Sequence, residues 1–512
     1  MLTQVRLRQD WDIVVIGGGA TGLGIALDAC TRGYSVVLLE QSDFAKGTSS
    51  RSTKLIHGGV RYLAQGDIRL VREACKERGL LLHNAPHLVR DLVFVVPVYS
   101  WFSKWKYLIG LKIYDWIAGK LRLGPSRFIS RKRMVERMPD IRHDGLVGGI
   151  EYHDGQFDDA RLAINLAQSV ASAGGQVLNY TQVTSLGKNE KGWLDAVTAV
   201  DLETGEELHI KARAVINATG VFADNIAQMD QKAKRPSVAV SQGTHIVLDR
   251  SFYTASEAMM IPKTSDGRVL FAVPWHNKVV VGTTDTPVDN TAMDPVALEM
   301  EINFILNTAG SYLTKQPGRS DVLSVFSGLR PLAAPKQPGQ KTKEISRSHK
   351  IHVSPSKLFT MLGGKWTTYR KMAEDMMDKV EKELGWEHRS SGTASLSING
   401  AIPTSDWTDP FYYYGSDAEA IKRRIKNSNE AWISEEFKIH PEQVRWAVEK
   451  EMARTLDDVL SRRTRNLFLD AREALRIAPT VVSIMAQSLG QTNEWQQAQL
   501  SAFKKMAANY LL

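Results

Sequence analysis

Apolar and polar positions along this chain change period in a recurring order: a short unbroken apolar run, glycines, a helical stretch, another apolar run. Ile13 to Ile16 is apolar throughout, which predicts a short strand buried on both faces of a parallel sheet. A helix follows as far as Gly33, and Val36 to Leu39 is a second such run ending on Glu40. Residues 67 to 83 carry the helical period and stop before Pro86; Leu92 to Val98 predicts a strand. Phe157 to Ala173 predicts another helix with Gly174 and Gly175 as its stop, and Val177 to Tyr180 a strand. Leu194 to Asp201 and Glu207 to Lys211 predict a hairpin about Thr204 and Gly205. Arg213 to Gly220 then predicts a strand entering a glycine turn, with a short helix at Val221 to Gln228.

Between the first two apolar runs, Gly17, Gly18, Gly19 and Gly22 fit the spacing G-x-G-x-x-G. Glycine lets a backbone turn tightly and approach a pyrophosphate, whose charge then sits at the N-terminus of the following helix. Glu40 lies about twenty residues on, where a carboxylate accepts from a ribose hydroxyl. Strand, glycines, helix and acid together point to a bound FAD or NAD. The loop beyond Glu40, Gly47 to Leu63, leaves the end of a parallel strand and carries Arg51, Lys54, His57 and Arg61, so it is expected at the ligand crevice.

From Pro236 to His352 the period changes to alternation, with strands at Thr244 to Leu248, Val269 to Val273 and Val279 to Gly282 and a helix near Leu298 to Leu313. Leu358 to Leu362 restores a parallel-type strand, again followed by glycines and a helix. Ser390 to Gly400 has the composition of a linker, and helices are clearest beyond it at Glu442 to Ala453 and Thr455 to Arg465. The expected fold class is therefore α/β plus α+β. A discontinuous Rossmann-like dinucleotide-binding domain takes residues 1–85, 145–230 and 353–388. A mixed antiparallel-sheet substrate domain takes 86–144 and 231–352, and a helical C-terminal domain takes 389–512.

A chain of 512 residues exceeds what one core serves, in agreement with that division. Two cysteines, Cys30 and Cys75, give neither a disulfide framework nor a metal cluster and fit a reducing, cytoplasmic setting. The first strand begins by residue 12, which leaves no expected room for a leader, and no apolar run of about 18 residues crosses a bilayer. A formal charge of +9 favours anionic partners. Over most of the chain cations alternate with acids, which argues against nucleic acid. One stretch differs. Trp101, Trp105, Leu108, Ile109, Trp116 and Ile117 recur at near-helical spacing with Lys104, Lys106, Lys112, Lys120 and Arg122 among them. That pattern suits a helix lying on anionic lipid, and equally a packing helix whose lysines reach water.

Several blocks in one order carry a family resemblance: GGGATG through Glu40, TSSRSTKLIHGGVRYL, FDDARL, INATG, GTTDT, SGLRPL and GGKWTTYR. From Asp12 to Leu384, and more weakly in the tail, the chain resembles the FAD-dependent glycerol-3-phosphate dehydrogenases. The resemblance selects FAD over NAD. It implies oxidation of sn-glycerol 3-phosphate to dihydroxyacetone phosphate, with electrons leaving for a membrane quinone and the enzyme peripheral on the inner, cytoplasmic face of the cell membrane. Some relatives pass electrons to oxygen and make peroxide, which is the alternative reading. No D-x-D-x-D-G calcium loop occurs and no metal is expected; a homodimer is left open.

Such a reaction removes a hydride from C2 and a proton from its hydroxyl, so the site needs an electron acceptor, a phosphate clamp and a proton acceptor. The family's substrate residues map onto Arg61, Tyr62, His245, Arg330 and Lys365, with His245, Arg330 and Lys365 as the catalytic set. Arg61 with Tyr62 suits the phosphate, since a guanidinium donates two parallel hydrogen bonds. Arg330 suits either the phosphate or the C2 oxygen, and Arg347 is a further anion contact of lower rank. His245 is expected as the base because imidazole titrates near neutrality, with Lys365 as the second candidate. For FAD, Gly17, Gly18, Gly19 and Gly22 are expected at the pyrophosphate and Glu40 at the ribose. Ser49, Ser50, Lys54, His57 and Gly58 would lie along the ribityl chain and ring, and Gly220, Gly364 and Thr367 would close the far side.

Overall fold

In the computed structural model of the chain, residues 1–512 are described except 9, 61–66, 232–235, 263, 265–266, 335–347 and 404. The first sheet runs Lys350–Val353, Leu358–Leu362, Glu207–Asn217, Asp10–Ile16, Val36–Leu39, Gln176–Leu178. Its four central pairings are parallel, with Ile13 opposite Val36 and Ala214, and Val215 opposite Leu358. The unbroken apolar runs have a direct cause. Ile13, Val15, Val36, Leu38 and Ile216 face the helices Ala20–Thr31, Asp159–Ser172 and Tyr369–Leu384. Val14, Ile16, Val37, Leu39 and Val215 face a layer built from Thr181–Lys188 and Leu194–Asp201. Each strand is buried on both sides, so no polar alternation survives.

The second sheet is largely antiparallel, in the order Thr286–Pro287, Val238–Asp249, Lys278–Gly282, Leu270–Trp275, Ala258–Ile261, Val89–Val98, Gly148–Phe157, Leu55–Ile56, with Val322–Ala333 also paired to Val238–Asp249. The strand Gly148–Phe157 falls within the segment expected in the first domain, yet it pairs along its length with Val89–Val98. Glu207–Lys211 and Arg213–Gly220, expected as two strands, form one, Glu207–Asn217, which pairs with the hairpin partner at one end and with the parallel core at the other. The segment expected as a linker is fastened to the first layer of helices. Asn84 Nδ2 donates to the Thr393 carbonyl at 3.1 Å, and Asn399 N donates to Ser169 Oγ at 2.8 Å.

The C-terminal helices Pro441–Lys450 and Ala471–Leu489 pack on the back of the second sheet, against Val247, Val280 and Phe326. Between them Asp458–Arg463 winds as a π-helix, and three arginines from this region enter the interior. Arg462 and Arg463 both donate to Asp43, just beyond the second strand, and Arg462 also reaches Asp458 at 2.8 Å. Arg161 donates two hydrogen bonds to Glu451, at 2.8 and 2.6 Å. The FDDARL block is thus a fastening for the C-terminal unit.

Burial alone would raise the Asp43 carboxyl pKa; the Arg463 and Arg462 guanidiniums outweigh it and hold it below the ordinary value. The pair therefore contributes stability that is complete above the ordinary carboxylate range and is lost as pH falls below it. Asp43→Asn leaves two buried guanidiniums undercompensated and is expected to cost about 3–5 kcal/mol at neutral pH. Denaturant unfolding across pH 7 to pH 3 checks both statements: the wild type loses stability on acidification, and the variant's curve is flatter.

Candidate active site

The strand Asp10–Ile16 ends in Gly17, whose φ of +109° turns the chain beneath the strand Glu207–Asn217. A Cβ on Gly17 would lie 2.7 Å from the Ala218 carbonyl oxygen, and one on Gly22 would lie 1.8 Å from the Gly17 oxygen. The glycines are required by this contact between helix and strand end. Gly18 N donates to Glu40 Oε2 at 2.7 Å and Ser42 N to Glu40 Oε1 at 2.8 Å, which anchors the acid at the edge of the groove. Burial nonetheless raises the Glu40 pKa against those two backbone donors. A cavity of about 240 Å³ runs from Gly17 and Gly19 past Glu40, Ser49 and Gly220 to Gly364. Ser49 Oγ accepts from Ala20 N at 2.9 Å, so the loop lies over the first turn of the helix. Trp366 Nε1 donates to the Ser49 carbonyl at 2.8 Å and ties the late glycine turn to the same loop.

A second cavity, of about 690 Å³, shares Thr48, Pro331, Gly363, Gly364, Lys365 and Trp366 with the first. His57, His245, Arg330 and Thr367 line it from four separate stretches of chain. The Arg330 guanidinium is pinned from behind: it donates to the carbonyls of Gln242 (3.3 Å) and Thr284 (3.0 Å) and to Thr283 Oγ1 (3.1 Å). Gly243 makes this possible, since a Cβ there would lie 2.3 Å from Arg330 Nη2. His245, only 2% exposed, stacks on Phe326 at 4.8 Å and has Nε2 2.9 Å from Thr53 Oγ1. Burial first, then the Lys54 and Arg330 cations, hold its pKa well below the usual histidine value. The expectation of an imidazole titrating near neutrality is corrected: within this wall the ring is neutral across the physiological range.

A family profile described as FAD dependent oxidoreductase matches residues 12–368, and a second, the C-terminal domain of alpha-glycerophosphate oxidase, matches 356–499. The mitochondrial glycerol-3-phosphate dehydrogenase of Macaca fascicularis is 39% identical over 98% of this chain and 74% of its own length. That of Schizosaccharomyces pombe is 35% identical over 100% of this chain and 88% of its own. The chain belongs to the FAD-dependent glycerol-3-phosphate dehydrogenase family. A solved glycerol-3-phosphate dehydrogenase from Bacillus halodurans, complexed with FAD, superposes with a TM-score of 0.80 at 28% identity, covering 99% of this chain and 96% of that one. An L-alpha-glycerophosphate oxidase from Mycoplasma pneumoniae shares the fold, with a TM-score of 0.58 at 16% identity.

FAD is the cofactor of this family, and the residues present fit it. The groove supplies a side-chain-free floor at Gly17 and Gly19, the free end of a helix and a fixed acid, and it opens at Gly363–Trp366 into the larger cavity. A dehydrogenase of this family needs just such continuity, because a dinucleotide longer than one pocket must bring its ring to the substrate. Other expected residues stand elsewhere. Gly22 serves packing, as above, and Gly18 lies against Glu40 and Phe44, where a Cβ would come within 2.8 Å of both. Lys54, expected along the ribityl chain, turns into the interior, where its Nζ donates to Ser50 O and Asp159 Oδ2, both at 2.7 Å. Burial there lowers its pKa to about 7. Ser50 is buried beside it, and Gly58 N donates to Asp154 Oδ1 at 3.0 Å. Arg61, Tyr62 and Arg347 lie outside the described residues.

Three cavity-lining residues were not assigned to the site from the sequence. Thr53 sits unremarked among the hydroxyls of its loop, and only the tertiary fold brings it to His245. Lys106 and Tyr107 reach the larger cavity because the helix Trp101–Ala118 forms its wall. Gly22→Ala is expected to leave far-UV circular dichroism intact while cutting retained FAD roughly tenfold, a loss of about 1.4 kcal/mol in binding. Flavin absorbance per mole of purified protein measures this, and full yellow colour contradicts the packing argument.

Proposed function

We propose that this enzyme oxidises sn-glycerol 3-phosphate to dihydroxyacetone phosphate and passes the electrons to a membrane quinone. The observation that carries the reading is the shared wall: the cavity holding Arg330, Lys365 and His245 opens directly onto the dinucleotide groove. Bound FAD supplies a two-electron acceptor for the C2 hydride. The protein's own residues do the rest. Arg330, held rigid by backbone carbonyls, and Lys365, at the start of the turn Trp366–Thr368, give fixed positive charge for the phosphate and for negative charge developing on the C2 oxygen. His245 takes the hydroxyl proton. The incoming phosphate dianion offsets the Lys54 and Arg330 charges that depress the imidazole, so the base strengthens when substrate is in place.

Membrane attachment is supported by the helix Trp101–Ala118. Its inner face is buried at Leu111, Tyr114 and Ile117, whereas Trp101, Phe102, Trp105, Ile109, Ile113 and Trp116 are exposed, Phe102 and Trp116 by more than three quarters. Lys112 and Arg122 lie exposed alongside, and Lys104 sits 4.6 Å over the Trp101 ring. Exposed aromatics flanked by cations suit a helix at the surface of an anionic membrane. Among the described residues no helix is long and apolar enough to cross one. We take the site of action to be the inner, cytoplasmic face of the cell membrane, with the enzyme peripheral, as the family resemblance implies.

Mixed anaerobically with sn-glycerol 3-phosphate, the holoenzyme should lose its flavin absorbance, whereas glycerol should leave it unchanged. Arg330→Met should raise KM by about 10- to 100-fold, as the loss of charge-assisted hydrogen bonds implies. Turnover with a soluble quinone but little peroxide in air supports the quinone; stoichiometric peroxide without quinone favours the oxidase. Replacing Trp101, Trp105 and Trp116 together by serine should abolish co-sedimentation with anionic vesicles and leave anaerobic flavin reduction intact. Undiminished binding to those vesicles would remove this helix from the membrane contact.

A further inference from the structure

Thr53 lines the larger cavity with its Oγ1 2.9 Å from His245 Nε2. The residues on either side of it are fastened to one carboxylate. Ser52 donates to Asp159 Oδ2 through both N (3.0 Å) and Oγ (2.7 Å), and Lys54 Nζ donates to the same oxygen at 2.7 Å. Asp159 Oδ1 accepts from Arg465 Nη2 at 2.8 Å and from Ala160 N at 2.8 Å. Arg465, from the C-terminal unit, also donates to the Ser50 carbonyl at 3.3 Å. The side chains of Lys54, Asp159 and Arg465 are at most 1% exposed. A second path reaches the same histidine: Phe468 packs edge-on to Phe326 at 4.9 Å, and Phe326 carries the His245 ring.

We propose that Thr53 is the positioning residue that selects the working tautomer of His245, and that the C-terminal unit sets Thr53 through Arg465 and Asp159. An imidazole that accepts a proton must present one bare nitrogen, and the hydrogen bond at the other nitrogen decides which. Among the described residues Nδ1 has no hydrogen-bond partner, and Thr53 is the side chain bonded to Nε2. An orphaned buried N–H is rarer in proteins than an orphaned acceptor. The Nε2–H therefore donates to Thr53 Oγ1, and Nδ1 keeps its lone pair. Lys54 and Arg330 act on the ring directly. Asp159 and Arg465 stand behind Lys54, and Lys365 faces the same cavity from the late glycine turn. Valine at position 53 keeps the shape and removes the oxygen that holds this arrangement.

This rests on His245 as the proton acceptor. The test is anaerobic flavin reduction in the FAD-loaded enzyme by sn-glycerol 3-phosphate across pH, with FAD content and melting temperature as controls. Thr53→Val should lower the limiting rate by about tenfold, move its pH profile and leave the substrate concentration at half-saturation within about twofold. Thr53→Ser should recover the rate to within about threefold. Combining Thr53→Val with Arg465→Gln should cost no more than Thr53→Val alone, since both act through one hydroxyl. A Thr53→Val enzyme with the wild-type rate and profile, beside a His245→Gln enzyme that loses both, overturns the role of Thr53 alone. Additive losses in the double variant overturn the path from the C-terminal unit. If His245→Gln also leaves rate and profile unchanged, the proton acceptor is elsewhere and the proposal falls with it.

Discussion

Asp43 and the two arginines that grip it have no access to water, and the chain has little freedom in how it meets that condition. A buried guanidinium without a carboxylate is far more costly than the pair, so the C-terminal helices dock where Asp43 is or not at all. Asp43 in turn lies three residues beyond Glu40, at the mouth of the dinucleotide groove. Docking therefore fixes the start of the loop that lines both cavities, and Arg465 fixes Ser52 and Lys54 within it through Asp159. Among the described residues the helical tail, distant in sequence, lines neither cavity but holds from behind the loop and the sheet that do.

The glycines impose the complementary constraint from the front. At Gly17 and Gly22 there is no room for a Cβ, because strand end, helix and neighbouring strand converge within van der Waals contact. Gly243 does the same service for Arg330, letting a guanidinium lie flat on a strand, anchored from behind by the Gln242 and Thr284 carbonyls and the Thr283 hydroxyl. In both places missing side chains, more than added ones, determine where charge sits. A cation immobilised in this way meets an oxyanion with little reorganisation, which is the condition under which a fixed charge stabilises a transition state most.

Much of this was legible in the sequence for identifiable reasons. Runs such as Ile13 to Ile16 and Leu358 to Leu362 declare themselves because strands buried on both faces carry no polar interruption. The groove residues Gly17, Glu40 and Gly364 were legible because backbone geometry at a nucleotide site admits few alternatives. What stayed hidden depends on pairing between remote segments. Nothing local marks Gly148–Phe157 as a partner of Val89–Val98, or Lys54 as a residue that turns inward to Asp159. His245 lines the cavity, but the expectation that it titrates near neutrality missed its burial, which with the Lys54 and Arg330 cations holds the pKa well below the usual value. Segments 61–66 and 335–347, which include Arg61, Tyr62 and Arg347, lie outside the described residues.

The helix Trp101–Ala118 joins the two halves of the proposed function. Its Trp101, Trp105 and Trp116 face outward, while Lys106, Tyr107, Gly110 and Leu111 line the catalytic cavity. A single helix with side chains is about 10–12 Å across, so a lipid surface touching the tryptophans lies about one helix diameter from that cavity. The apolar wall at Phe94, Leu111, Met260 and Phe271 stands on the same side of the molecule as this helix. Under the proposed function, a site that takes a charged polyol phosphate from water and delivers electrons into lipid needs one polar flank and one apolar flank. Here the polar flank is Arg330 with Lys365, and the apolar flank is the wall that the amphipathic helix closes.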